Sequence, residues 1–96
     1  MPDAGYRYTP ITAAAPTTTV IKAAGGTLKR ITFNKPVATG VVTVYDNPSS
    51  AAGTVIATIT TPASPIPVTL EYDLRFNLGC TIVSATAAQD FTVVWV

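Results

Sequence analysis

The chain reads as an all-β protein, an antiparallel β-sandwich or jelly-roll-like barrel of about seven short strands behind an extended N-terminal arm. Three observations predict this. Thr, Val, Ile and Ala fill the sequence, and the β-branched residues fall in short alternating runs. Those runs are bounded by Gly, Pro, Asn and Asp at roughly 8-to-12-residue spacing, the rhythm of strands and turns. No segment carries the apolar period of a helix. With 96 residues there is room for one domain, and size scaling gives its folded form a surface of about 5,200 Å². Residues 1–16, interrupted by Pro2, Pro10 and Pro16, are expected to form the arm, and residues 17–96 the sandwich.

In order, Thr17 to Lys22 is the first expected strand, and Ala23-Ala24-Gly25-Gly26 turns it into a second, Thr27 to Phe33. Leu28 is out of phase with Ile31 and Phe33, which predicts a bulge near Lys29 and Arg30. Asn34-Lys35-Pro36 ends that strand. Val41 to Tyr45 is the third, with Val42 and Val44 on one face and Val41, Thr43 and Tyr45 on the other. Asp46 to Gly53 concentrates turn formers, and Asp46 or Asn47 is placed to hydrogen-bond the turning backbone. In Thr54 to Thr60, Val55, Ala57 and Ile59 are expected to face inward, and Ile56 breaks the polar row. Pro62, Pro65 and Pro67 exclude the next segment from a sheet. Val68 to Asp73 alternates cleanly, with Val68, Leu70 and Tyr72 inward against Thr69, Glu71 and Asp73. Cys80 to Ser84 and Phe91 to Val96 complete the set, joined through Ala85 to Asp90.

Composition narrows the function. Charged residues are 11% of the chain and the net charge is +1, too weak a field to steer nucleic acid or an anionic membrane. No run approaches the roughly 20 apolar residues of a membrane helix. With no His, and Cys80 the single cysteine, neither an internal disulfide nor a Cys/His zinc site is expected, and no cofactor is implied. The N-terminus lacks a basic stretch followed by an apolar one, so folding in a cytoplasm is expected. Glu71 and Asp73 share one strand face about 7 Å apart, and both are expected to be solvated, which argues against an enzyme. Asp46 with Asn47 reads as an Asx turn ahead of a calcium site, and Cys80 as a small buried hydrophobe.

Two groups remain as candidate contacts. Tyr6-Arg7-Tyr8 interleaves aromatics with a cation and is expected to dock the arm on a protein partner. Lys22, Lys29, Arg30 and Lys35 gather in the first third and are expected to form a basic contact face. Low charge, with Val41, Ile56 and Val94 at positions expected to face outward, suits an oligomer better than a lone monomer.

The runs Gly26 to Asn34, Gly40 to Asn47 and Gly53 to Ile59, with Tyr72-Asp73 and Phe76-Asn77-Leu78-Gly79, resemble small virion proteins of tailed bacteriophages, among them capsid decoration (cement) proteins of β-sandwich or jelly-roll type. The resemblance spans residues 17–96 and carries no active site. It implies a structural protein on the outer surface of a phage head, made in the host cytoplasm. Such a protein binds the major capsid protein, braces neighbouring capsomers and is often a homotrimer. The alternative is a tail- or fibre-associated module that binds host-surface carbohydrate, for which Trp95 is the one tryptophan available as a sugar platform.

Overall fold

Period-two alternation gives each run one apolar and one polar face, and burial of the apolar faces against each other makes two layers. The computed structural model describes residues 5–12, 17–85 and 89–96. It contains β1 (Arg7–Ile11), β2 (Thr17–Lys22), β3 (Gly26–Lys35), β4 (Val41–Asp46), β5 (Thr54–Thr60), β6 (Val68–Phe76), β7 (Cys80–Ser84) and β8 (Asp90–Trp95). One sheet has the order β1-β8-β3-β6 and the other β2-β7-β4-β5. Every pairing is antiparallel. The pairs β1·β8, β2·β7, β3·β6 and β4·β5 are successive rungs of one long hairpin. Rolling that hairpin up creates the remaining contacts, β3·β8 and β4·β7, and makes the fold a jelly roll.

The expected sandwich is therefore present, with eight strands in place of about seven. The additional one is β1, inside the segment expected to be an extended arm. Residues 7–11 pair with β8 from Arg7↔Trp95 to Ile11↔Phe91, and Ile11 is buried in the core. Pro10 argues against a central strand, but β1 is an edge, where a missing N–H costs no ladder bond. The remainder of that segment, residues 1–4 and 13–16, lies outside the described residues, as do residues 86–88 of the β7–β8 connection.

The expected bulge is present. The register of β3 shifts between Leu28 and Arg30 against both β6 and β8, which restores Leu28, Ile31 and Phe33 to one buried face. Opposite it, Asp73 adopts a left-handed conformation with φ of 49°, which Asp tolerates better than most residues, and its carboxylate pairs with Lys29.

In β5 the expectation fails by one residue. Val44 pairs with Ala57 and Tyr45 with Val55, leaving Ile56 as the extra residue of a second bulge. Ile56 packs against the core, and Val55 turns outward and is 48% exposed. Val68, expected inward, is exposed at the start of β6.

Between the sheets lie Phe33, Phe76, Phe91, Leu28, Ile31, Val42, Val44, Ile82 and Val93, all essentially inaccessible to solvent. The folded surface of 5070 Å² is close to that expected for a chain of this size. Thr61 pins one end. Its hydroxyl accepts from Gly40 N at 2.7 Å and donates to the Val37 carbonyl, tying the β3–β4 turn to the crossing that follows β5.

Candidate functional site

The slab measures 36 × 34 × 19 Å, and no cavity opens among the described residues. Its interaction chemistry is carried by the outer faces of the two sheets, and these differ sharply.

On the first sheet, one cross-strand row runs Tyr8, Val94, Arg30, Glu71 and the next Pro10, Thr92, Thr32, Thr69. These rows face outward because the row between them contains buried Val93 and Ile31. Arg30 Nε donates to Glu71 Oε2 at 3.1 Å, and the hydroxyls of Thr32 and Thr69 lie 3.1 Å apart. Asn34 Nδ2 donates to Asp90 Oδ1 at 3.0 Å and to Thr92 Oγ1 at 3.3 Å. The Lys29 ammonium sits 5.0 Å from the centre of the Tyr6 ring. Hydrogen bonding to Asp73 first, and to Tyr6 second, raises the Lys29 pKa above its ordinary value. Tyr8 is 73% exposed, at the open side of this face.

On the second sheet the corresponding rows are Val20, Thr81, Tyr45, Val55 and Thr18, Val83, Thr43, Thr58. None of these eight positions carries a charge. Val20 and Val55 are exposed apolar side chains at opposite edges, and Thr81 is buried with its hydroxyl donating to the Asn47 carbonyl at 2.8 Å. This face was not singled out from the sequence, although the absence of charge from residues 17–21, 41–45, 54–60 and 80–84 is visible there.

The expected Tyr6-Arg7-Tyr8 contact is divided. Tyr8 and the Tyr6 ring belong to the outer face, whereas alternation turns Arg7 toward Trp95, its guanidinium carbon 5.9 Å from the ring centre. Nor do Lys22, Lys29, Arg30 and Lys35 make one basic face. Lys29 and Arg30 are matched by Asp73 and Glu71, Lys22 comes from the second sheet and lies 5.9 Å from the Trp95 ring centre, and Lys35 stands at the far end of β3 opposite Asp90. The pairing of β3 with β6 brings the neutralising carboxylates in from more than 40 residues away. Val41 and Val94 lie on the outer faces as expected and are half-buried there, whereas Ile56 is packed inside.

Trp95 is half-buried, its indole N–H donates to Thr9 Oγ1 at 3.0 Å, and Arg7 and Lys22 lie against its ring. It does not present a free flat face to solvent as a sugar platform would. Among the described residues no group of three or more acidic or cysteine side chains converges as a metal site would require. Asn47 forms the expected Asx turn, its Oδ1 accepting from Ser49 N and Ser50 N at 2.9 and 2.8 Å.

Cys80 is fully buried and free, and burial first, with the nearby Asp46 charge second, pushes its pKa up to about 12. The thiolate is the reactive form. A thiol reagent at pH 8 is therefore expected to label Cys80 only after denaturant is added, and rapid labelling of the native protein would contradict its burial.

Compared with known proteins, the chain matches no family model and no curated sequence.

Proposed function

We propose that this domain is a non-enzymatic structural protein that decorates an assembled protein shell, of the capsid-decoration type its sequence resembles, on the outer surface of a tailed-phage head. The observation that carries the reading is the segregation of chemistry between two flat faces. The first sheet offers exposed Tyr6 and Tyr8 beside Arg30 and a ladder of hydroxyls, the side-chain types that most often anchor interfaces. Paired charges on that face, Lys29 with Asp73 and Arg30 with Glu71, give register to a docking partner and little net field. Its partner in this reading is the major capsid protein, and the second sheet is left for contacts between copies. The carbohydrate-binding alternative has less support, because Trp95 is covered by Arg7 and Lys22.

Decoration works by mass action. A ligand that binds the finished lattice and not its free subunits stabilises the lattice by about 2.7 kcal/mol per site at a hundredfold excess over Kd, and the contributions of many sites add. Particles lacking the protein are expected to assemble but to rupture at lower temperature or shorter packaged DNA, and purified protein added back is expected to restore them. Cryo-electron microscopy of restored particles then locates it. If stripped particles prove as robust as decorated ones while losing adsorption to host cells, the carbohydrate-binding reading replaces this one.

A further inference from the structure

Four strand edges bound the two sheets, and three of them carry a proline or charged side chains, which discourage pairing with another chain. β1 contains Pro10, which has no N–H to offer. β6 places Glu71, Asp73 and Arg75 along its length, with Asp73 kinked into the left-handed region. β2 is bulged at Ile21 and ends in Lys22. The fourth edge, β5, reads Thr-Val-Ile-Ala-Thr-Ile-Thr, seven residues without a charge, a proline or a glycine. Its bulge at Ile56 leaves Ala57 to Thr60 in regular register with β4. Among the described residues no strand pairs with its outer side. A strand of this composition is a template for another of the same kind.

We infer that β5 pairs antiparallel with β5 of a second copy about a twofold axis at Thr58, merging two four-stranded sheets into one of eight strands. This deepens the assembly reading above, and its test needs no virion, so the two can fail separately. A second copy is the occupant because the strand complements itself. Residues opposite each other in an antiparallel pair share a face. Ala57 and Ile59 face inward with Val44 and Val42, whereas Thr58 faces outward with Thr43. An axis at Thr58 therefore sets Ala57 opposite Ile59 of the second copy, apolar against apolar, and Thr58 opposite itself. It also keeps both bulges out of the three central pairs. The outer row Thr18-Val83-Thr43-Thr58 then continues across the axis into its counterpart, and its lack of charge removes any repulsion between identical copies.

Two variants and a mass measurement test this. The unaltered protein is expected to give, by light scattering at micromolar concentration, twice its 10.0 kDa chain mass. Thr58→Lys alters an exposed side chain and leaves the core intact, yet sets two ammonium groups face to face at the axis, and is expected to weaken dimerisation at least tenfold with unchanged circular dichroism. Thr58→Cys is expected to form a disulfide-linked dimer on mild oxidation, Cys80 being buried and unable to compete. Val20→Cys, on the opposite edge, is expected to remain uncrosslinked. A monomer at every concentration, a threefold mass, a Thr58→Lys variant that dimerises as before, or crosslinking through Val20→Cys but not Thr58→Cys would each overturn the inference.

Discussion

Alanine at position 91 is expected to cost about 3–5 kcal/mol, the range for removing a fully buried phenylalanine from a packed core, and to lower the melting midpoint by roughly 20 °C. Phe91 lies directly opposite Phe33 in the β3·β8 pair, with ring centroids 5.3 Å apart and planes at 30°. It also pairs with Ile11 of β1, so one ring joins three adjacent strands of the first sheet. Deleting it takes from Phe33 its cross-strand partner and from Ile11, the buried residue of the edge strand β1, its neighbour in β8. A domain of this size holds total stability of about 5–15 kcal/mol, so the variant is expected to be partly unfolded at ambient temperature if the chain lies toward the lower end. Urea titration followed by circular dichroism measures the loss, with Phe91→Leu, which keeps part of the buried volume, expected to lose less than the alanine variant. A loss below 1 kcal/mol for alanine would mean that the ring pair is not a keystone of this core.

The legibility of this fold follows a physical division. The bulge at Lys29 and Arg30 was readable because it left a phase error between Leu28 and Ile31 within one strand. The bulge at Ile56 left the same kind of trace, an apolar residue in a polar row, but whether Ile56 or Val55 turns inward depends on β4, which supplies the opposing register. β1 was hidden because a proline inside a short run is compatible with a strand only at an edge, and edge position is a property of the whole topology. The basic residues looked like a patch because the sequence sets them near one another, whereas Asp73 and Glu71 reach Lys29 and Arg30 only through the rolled hairpin. Local alternation thus determined strands and their faces. What pairing alone decides, namely bulge direction, charge neutralisation and open edges, required the assembled sheets. Asp46 belongs to the same class, since its partners lie in a turn more than 30 residues away.

Loss of the Asp46 carboxylate is expected to loosen the end of the sandwich that carries the β4–β5 and β6–β7 turns. Asp46 Oδ1 accepts from Leu78 N at 2.8 Å, Asn77 N at 3.1 Å and Gly79 N at 3.3 Å, and Oδ2 accepts from Asn77 N at 3.0 Å. One side chain at the end of β4 therefore satisfies three consecutive backbone donors of another turn. Gly79 is needed for this closeness, because a Cβ there would stand 2.5 Å from Pro48 Cα and 2.8 Å from the Lys22 carbonyl oxygen. Donation from Asn77 first, then Leu78, holds the Asp46 pKa below its ordinary value, against a smaller opposing effect of burial. A depressed carboxylate pKa adds stability that is complete above the unfolded value, about pH 4, and is lost as pH falls through the folded one. Asp46→Ala is accordingly expected to cost about 2 kcal/mol at pH 7, below the sum for three charge-assisted bonds because the site is partly open to water. Asp46→Asn keeps the shape but gives up the charge, and its urea midpoint is expected to lie below that of the unaltered protein at pH 7. As the pH falls below 4 the unaltered protein loses the same charge, so the two midpoints are expected to converge. If the gap between them is as wide at pH 2.5 as at pH 7, the carboxylate charge is not what holds the two turns together.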